Sequence, residues 1–305
     1  MKTLGQVIEN ASERFDEAGL VFGHGTDNAF DEAAFIAMEA LGLPADAVLE
    51  EIWPRDLTKT EEDKIEALVN TRIQKRIPAP YLFNKTYLQG IPFYVDERVI
   101  VPRSFIAELI NHEDGFSPPG FPREIKNVLD LCTGSGCLAI LAAHVYPEAH
   151  IDAVELSPGA FAVAQRNVKE HGLEDCITLY NGDLFEPLKG KKYDLIITNP
   201  PYVDQAGMDD LPPEHKFEPE MALGLCGADG LDIVRKIMEQ APAHLSENGG
   251  LLCEIGRGRE NVEKAWPALS FLWLETENSE GEVYWLTRKQ LKLKRRPRSR
   301  NRRLN

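Results

Sequence analysis

The sequence predicts an α/β fold in which helices cover both faces of a mostly parallel sheet. Three observations lead to this prediction. From residue 123 onwards, short apolar runs rich in β-branched residues alternate with helical segments, which is typical of parallel strands with crossover helices. The first 77 residues instead carry apolar side chains at helical spacing. Between the two, residues 78–122 show a β-hairpin pattern, so we expect a smaller helical domain and a hairpin linker before the sheet.

The helical N-terminal domain is predicted to span residues 1–77. Leu4, Ile8 and Ala11 share one face of a first helix. Thr58 precedes an acidic first turn and is expected to cap a later helix, because its hydroxyl can accept a backbone hydrogen bond there. Two roles stay open for this domain: a stable appendage, or a unit that recognises a protein substrate.

The linker is predicted to contain a hairpin with strands at 87–88 and 91–95, and a further strand at 99–101. Ser104 is expected to cap a short helix at 105–110. Glycine and proline dominate residues 115–122, which marks a loop before the next domain.

Residues 123–290 are predicted to form the α/β domain. The predicted strands are 127–132, 151–156, 177–180, 194–198, 250–255, 271–275 and 283–287. The predicted helices are 137–145, 158–171 and 231–245. Ligands of such sheets bind beyond the carboxyl ends of the strands, where the strand order reverses.

The formal net charge of −15 is unevenly distributed. Residues 288–303 contain ten lysines and arginines and no acid, so the rest of the chain carries about −25. A body this acidic argues against binding long duplex nucleic acid on its surface. Residues 291–305 are expected to form a disordered basic tail.

The five cysteines form no C-x-x-C pair and no Cys/His cluster. We expect them to be reduced residues of a cytoplasmic protein, and we expect no metal site. The N-terminal residues do not resemble a signal peptide, and no apolar run approaches the roughly 18 residues of a membrane helix.

The run Tyr-Asp-Leu-Ile-Ile-Thr-Asn-Pro-Pro-Tyr at 193–202 predicts a buried strand that ends at two prolines. The side-chain carbonyl of Asn199 and the backbone carbonyl of Pro200 can point the same way in such a stiff segment, followed by Pro201. Two convergent acceptors suit a planar NH2 group, and Tyr202 can cover its flat face. An amide and the exocyclic amines of adenine and cytosine all have this shape.

A second motif, Asp-Leu-Cys-Thr-Gly-Ser-Gly at 130–136, leads from a strand into a helix. Gly134 and Gly136 let a ligand approach the backbone closely. Thr133 precedes the first glycine, and Ser135 lies between the two. The loop lacks the third glycine of a dinucleotide fingerprint and the lysine of a triphosphate loop. Asp130 would suit a ligand with an amino group and would repel a pyrophosphate.

Two more acids follow the next two strands. Glu155 can accept two ribose hydroxyls, and Asp183, followed by Leu184, can accept a bond from an adenine amino group. Together with Asp130 they lie on one rim of the predicted sheet. The ligand inferred is a nucleoside with an amino-acid-like tail, S-adenosylmethionine, with Asn199 beside it.

With these motifs the chain resembles the class I S-adenosylmethionine-dependent methyltransferases, and more narrowly the N5-glutamine methyltransferases. The resemblance covers residues 81 to 287 and includes 130–136, Glu155, 183–185, 199–202, 217–223 and 227–231. It implies a doubly wound sheet and transfer of a methyl group to the side-chain nitrogen of a glutamine.

Two branches of this family compete. Pro102-Arg103-Ser104 and the loop Cys-Thr-Gly-Ser-Gly-Cys at 132–137 are similar to the branch that methylates a glutamine of large-subunit ribosomal protein three. Methylation of release factors and of adenine N6 in nucleic acids stay open as alternatives. An acidic segment at 204–220 is expected to overhang the site, as a solvated loop or as a surface that receives a basic protein. The basic tail either keeps the protein soluble or contacts ribosomal RNA.

Overall fold

The computed structural model describes residues 1–112, 115–224 and 227–293. Five helices come first: α1 Leu4–Glu17, α2 Ala29–Leu41, α3 Leu49–Ile52, α4 Lys59–Lys75 and α5 Ala79–Phe83. Thr58 caps α4 as predicted, because its hydroxyl oxygen accepts the Glu61 backbone N–H while the Glu61 carboxylate accepts the Thr58 N–H. Leu4 and Ile8 are fully buried in a core that these helices share. The domain boundary at residue 77 stays a prediction, and the same core also contains Ala79.

The predicted hairpin is confirmed as β1 Thr86–Leu88 paired with β2 Ile91–Phe93. Gln89 and Gly90 both have positive φ, as a two-residue hairpin turn of this kind requires. The strand predicted at 99–101 is wrong, because those residues are irregular. Val99 is buried against Val163, and the Val101 N–H bonds to a carboxylate instead of a neighbouring strand.

A seven-stranded sheet follows: β3 Asn127–Leu131, β4 His150–Glu155, β5 Ile177–Asn181, β6 Tyr193–Thr198, β7 Leu245–Glu254, β8 Leu272–Glu275 and β9 Glu280–Thr287. Its order is β5-β4-β3-β6-β7-β9-β8. The first five strands in this order are parallel, and β9 runs antiparallel to both β7 and β8. The doubly wound, mostly parallel sheet is therefore confirmed. Strand order reverses between β3 and β6, the place where such sheets bind ligands.

The remaining helices are α6 Phe105–Ile110, α7 Cys137–Val145, α8 Pro158–Glu170, α9 Gln205–Asp209, α10 Glu220–Leu223, α11 Asp232–His244, α12 Arg259–Ala265 and α13 Arg288–Leu293. Alternate residues of β3 point to opposite faces of the sheet. Val128 joins the core beneath α6 and α7, whereas Leu129 joins the core beneath α11. This alternation places helices on both faces, because each face of the sheet buries its own apolar set.

The basic tail is predicted to begin at residue 291, but residues 291–293 complete α13, in which Leu291 is buried. Residues 294–305 lie outside the described residues, and their contact with ribosomal RNA stays a prediction. No helix within the described ranges has the length and apolar character needed to cross a lipid bilayer.

The helical domain is fastened to the acidic segment 204–220 by a buried carboxylate. Glu214 lies 2.7 Å from Nη2 of Arg76 and 3.5 Å from Nη1 of Arg72, and it accepts the Val21 N–H at 3.1 Å. Glu214 and Glu218 are both buried, so the expectation that these two acids face solvent or a basic substrate is wrong. Arginines from distant parts of the chain cover them.

Candidate active site

A cavity of about 440 Å³ opens beyond the carboxyl ends of β3, β4, β5 and β6. Its position at the reversal of strand order and its volume are typical of a small-molecule site. Eight of the predicted site residues line it: Thr133, Gly134, Ser135, Glu155, Asp183, Leu184, Asn199 and Pro201. Four others lie outside its lining: Asp130, Gly136, Pro200 and Tyr202.

The loop between β3 and α7 presents its backbone to the cavity. Gly134 has φ 56°, and no atom lies within 4 Å of the position a Cβ would take, so a ligand can approach there. Gly136 has φ 82°, and a Cβ on it would lie 3.4 Å from Ala164 of α8. The first glycine thus leaves room for a ligand, and the second permits close packing of two helices.

Asp130 supports this loop from inside the sheet. It is fully buried, and its Oδ2 accepts the hydroxyl proton of Thr133. Burial raises the pKa of the Asp130 carboxyl to about 7. The side chain therefore orients Thr133, which itself lines the cavity, instead of forming the wall.

Glu155 closes β4 and lines the cavity. Its Oε2 accepts the Gly134 N–H at 2.9 Å, and its Oε1 accepts the Ser157 N–H at 2.8 Å. Burial raises the pKa of this carboxyl, and the backbone N–H groups act in the opposite direction. Each carboxylate oxygen has a second lone pair, so each oxygen of Glu155 can still accept a hydrogen bond from one hydroxyl.

Two residues other than glycine adopt positive φ at the cavity wall: Cys132 at 59° and Leu184 at 47°. This conformation costs an L-residue about 1–2 kcal/mol, and such strain is concentrated at functional sites.

Asp183, next to Leu184, is the most exposed of the three predicted acids. Its side chain is 40% exposed and lies 3.9 Å from Nζ of Lys236. It remains available to a ligand in the cavity.

Asn199 follows β6, and a buried carboxylate fixes its side chain. Its Nδ2 donates to Oε1 of Glu254 at 3.0 Å, and the Ser104 hydroxyl donates to Oε2 at 2.6 Å. Glu254 ends β7 and is 1% exposed, and this burial raises its pKa to about 7. Since the NH2 group of Asn199 is directed at Glu254, its carbonyl oxygen is the polar atom left for the cavity.

Tyr202 is held by two glycines. A Cβ on Gly256 would lie 2.5 Å from Cε2 of the Tyr202 ring, and a Cβ on Gly230 would lie 2.2 Å from the Tyr202 carbonyl oxygen. Burial raises the pKa of the Tyr202 hydroxyl, which keeps it uncharged at neutral pH. Any side chain at either glycine would displace the end of the Asn-Pro-Pro-Tyr segment.

The segment 219–224 forms a further wall of the cavity, to which all of its residues except Leu223 contribute. The Val203 N–H donates to the Leu223 carbonyl at 3.1 Å, which joins this wall to the segment after Tyr202. Met221 in this wall and Leu156 after β4 are large apolar residues, each about half exposed at the cavity. They offer apolar surface to a ligand between them.

Reasoning from the sequence did not identify Glu254. The signal was present, because Glu254 is an acid near the end of a predicted strand, as Glu155 is. It also did not anticipate that Arg103, singled out for its motif, would line the cavity.

The chain is similar to known proteins both in sequence and in structure. A family model described as the methyltransferase small domain matches residues 119–212. The ribosomal protein uL3 glutamine methyltransferase of Bradyrhizobium diazoefficiens is 53% identical over 289 residues, which cover 93% of this chain and 90% of that protein. The protein of the same name from Neisseria meningitidis serogroup B is 49% identical over 292 residues, 95% of each chain. Among solved structures, a methyltransferase from Pyrococcus furiosus is 17% identical with a TM-score of 0.46, covering 74% of this chain and 96% of that one.

Proposed function

The chain belongs to the family of ribosomal protein uL3 glutamine methyltransferases, and we propose that it methylates the side-chain nitrogen of a glutamine in uL3. The methyl donor is S-adenosylmethionine. One observation carries the proposal: Asn199, whose amide is held in place by Glu254, lines the same cavity as the glycine loop and Glu155, the acid to which we assign the ribose. This agrees with the ribosomal-protein branch that the sequence predicts.

The donor end of the cavity is assigned to β3, β4 and β5. Glu155 would accept hydrogen bonds from the two ribose hydroxyls, and Asp183 would accept a hydrogen bond from the adenine amino group. The Gly134 backbone and the hydroxyls of Thr133 and Ser135 would hold the amino-acid part, with Asp130 orienting Thr133. The fit rests on the open position at Gly134 and on the lone pairs that Glu155 retains.

The acceptor end is assigned to residues 199–202. The carbonyl oxygens of Asn199 and Pro200 would accept hydrogen bonds from the two N–H groups of the target amide, and Pro201 and Tyr202 would enclose its flat face. S-adenosylmethionine supplies an electrophilic methyl group on a sulfonium sulfur.

An amide nitrogen is a poor nucleophile, because its lone pair is delocalised into the carbonyl. Two acceptors aimed at its N–H groups would direct the nitrogen and stabilise the positive charge that develops on it. Positioning of this kind can be equivalent to an effective molarity on the order of 10⁵ M. After methyl transfer the nitrogen would lose its extra proton to solvent water, so no strong base is needed beforehand.

The acidic body also supports a ribosomal-protein substrate. The net charge of about −25 outside residues 288–303 would attract a basic protein over a distance of roughly 10 Å at 0.1 M salt. The target loop has to enter a cavity, so it has to be accessible before RNA packs around it. We therefore propose that unassembled uL3 is the substrate, which agrees with the predicted cytoplasmic location.

The test offers purified uL3, a peptide chain release factor and duplex DNA, separately, to the purified protein with isotope-labelled donor. We expect label on one glutamine of uL3, located by mass spectrometry of its peptides. Label on the release factor alone would overturn the substrate and leave the chemistry intact. Label on adenine, with neither protein modified, would overturn glutamine methylation as well.

A further inference from the structure

We propose that Glu254 is a positioning residue that selects the orientation of the Asn199 side-chain amide, and that Ser104 holds the Glu254 carboxylate for this task. The inference rests on the proposed function, because it concerns the acceptor end of the same cavity. It adds a requirement that the Asn-Pro-Pro-Tyr motif alone does not contain.

The orientation of Asn199 matters because the oxygen and the NH2 group of an asparagine amide are nearly equal in size, so the amide fits its site in either orientation. With its carbonyl oxygen toward the cavity, Asn199 accepts a hydrogen bond from a target NH2 group. Turned by half a rotation, it would present its own NH2 group to that target, and two donors would face each other. The same residue is then a binding group in one orientation and an obstacle in the other.

Glu254 supplies the required bias. An ionised carboxylate only accepts hydrogen bonds, so Nδ2 is the only side-chain atom of Asn199 that can bond to it. The observed distance is 3.0 Å. The carboxylate cannot turn away, because the Ser104 hydroxyl donates to its other oxygen at 2.6 Å. Ser104 in turn accepts the Ile106 N–H at 3.2 Å, which directs its one proton to Glu254.

Protonation would weaken this selection. Burial raises the pKa of Glu254 to about 7, and Glu282 on β9 adds to the effect. The other titratable neighbours are Tyr202 and Cys253, whose pKa values burial raises, that of Cys253 to about 12, so both are uncharged at neutral pH. A proton on Oε1 would turn Glu254 into a donor toward Asn199, and the unproductive orientation would then compete.

The kinetic test compares Glu254→Leu, Glu254→Gln and Glu282→Gln with the wild type on uL3. We expect Glu254→Leu to lower kcat at least tenfold while the KM for S-adenosylmethionine stays within threefold. Glu254→Gln can still accept from Asn199, so it should recover part of kcat and lose the decline in kcat that the wild type shows as the pH falls through about 7. Glu282→Gln, which leaves the Asn199 contact intact, should stay within threefold of the wild type. Wild-type kcat in Glu254→Leu, with cofactor binding and thermal unfolding unchanged, would overturn the proposal.

A second measurement does not depend on turnover. The side-chain ¹⁵N–H2 signal of Asn199, identified by its loss in Asn199→Ala, should move with a midpoint near pH 7 in the wild type and stay constant in Glu254→Gln. A constant signal in the wild type, or the same titration in Glu254→Gln, would overturn the positioning role. If the wild type fails to methylate uL3 while this titration is present, the proposed function fails and the inference about Asn199 stands.

Discussion

Arg103 and Glu218 form a two-pronged ion pair beside the cavity, with Nη1 2.5 Å from Oε1 and Nη2 2.7 Å from Oε2. Arg103 comes from the linker and lines the cavity, whereas Glu218 immediately precedes the wall at 219–224. The Val101 N–H adds a third bond to the carboxylate at 2.9 Å. The pair thus connects the linker to the segment that encloses the site.

Replacing Glu218 by glutamine should destabilise the protein at neutral pH. Burial alone would raise the pKa of Glu218, but the hydrogen bonds and charges of Arg103 and His24 together outweigh burial and lower the pKa from 4.5 to about 2. The ionised group therefore adds stability above pH 4.5, and this contribution is lost as the pH falls toward 2. We expect Glu218→Gln to lower the free energy of unfolding at pH 7 by about 3 kcal/mol in urea titrations.

The control for this loss is Glu170→Gln, which breaks an exposed ion pair with Arg166. Its cost should be below about 0.5 kcal/mol, because surface pairs contribute little. Equal losses for the two variants, or a Glu218→Gln loss that does not shrink below pH 4.5, would contradict the assignment of Glu218 as a buried anchor.

Glu155→Gln should weaken binding of S-adenosylmethionine. Glutamine replaces one acceptor oxygen by an NH2 group, which would face the N–H of either Gly134 or Ser157 and lose a ribose contact. The expected loss is about 1–2 kcal/mol, near tenfold in Kd, measured by calorimetry. The exposed Glu186→Gln should bind as the wild type does, and unchanged affinity in Glu155→Gln would remove Glu155 from the donor site.

Asn199→Ala should separate turnover from cofactor binding. The variant removes an acceptor that acts on the target amide as charge develops, so kcat on uL3 should fall by about 100-fold or more. The Kd for S-adenosylmethionine should stay within about threefold. Asn278→Ala, which removes a surface hydrogen bond to Glu108, is the control. Near-normal turnover in Asn199→Ala would refute its catalytic assignment.

Local sequence was enough to predict most of the sheet, because β3, β4, β5 and β6 are short runs that contain β-branched residues and are bounded by loop residues. The same reasoning failed at 99–101, where a similar run of β-branched apolar residues is irregular and Val99 packs against α8. An apolar pattern in the sequence indicates that the side chains are buried. It does not indicate whether a neighbouring strand or a helix covers them.

A place in the cavity lining was predictable for a residue at the end of a predicted strand, such as Glu155. Contacts between two distant side chains were not predictable. Asn199 and Glu254 are 55 residues apart, and Glu214 contacts Arg72 in α4 and Arg76 directly after α4. An acidic residue within an acidic run is predicted to be exposed to solvent, because the arginine that pairs with it lies far away in the sequence.

The placement of Tyr202 can be tested through Gly256, which lies under its ring. Gly256 has φ 47°, so alanine there incurs both the cost of a left-handed backbone and a collision with Cε2 of Tyr202 at 2.5 Å. Gly190 has φ 80° with no atom within 4 Å of its would-be Cβ, so Gly190→Ala carries the backbone cost alone. We expect Gly190→Ala to lose about 1–2 kcal/mol of stability and Gly256→Ala to lose more than that, because of the collision. Only Gly256→Ala should lower kcat on uL3, by about tenfold or more, with the Kd for S-adenosylmethionine unchanged. Equal kcat in the two variants would show that the Tyr202 ring does not need this position for methyl transfer.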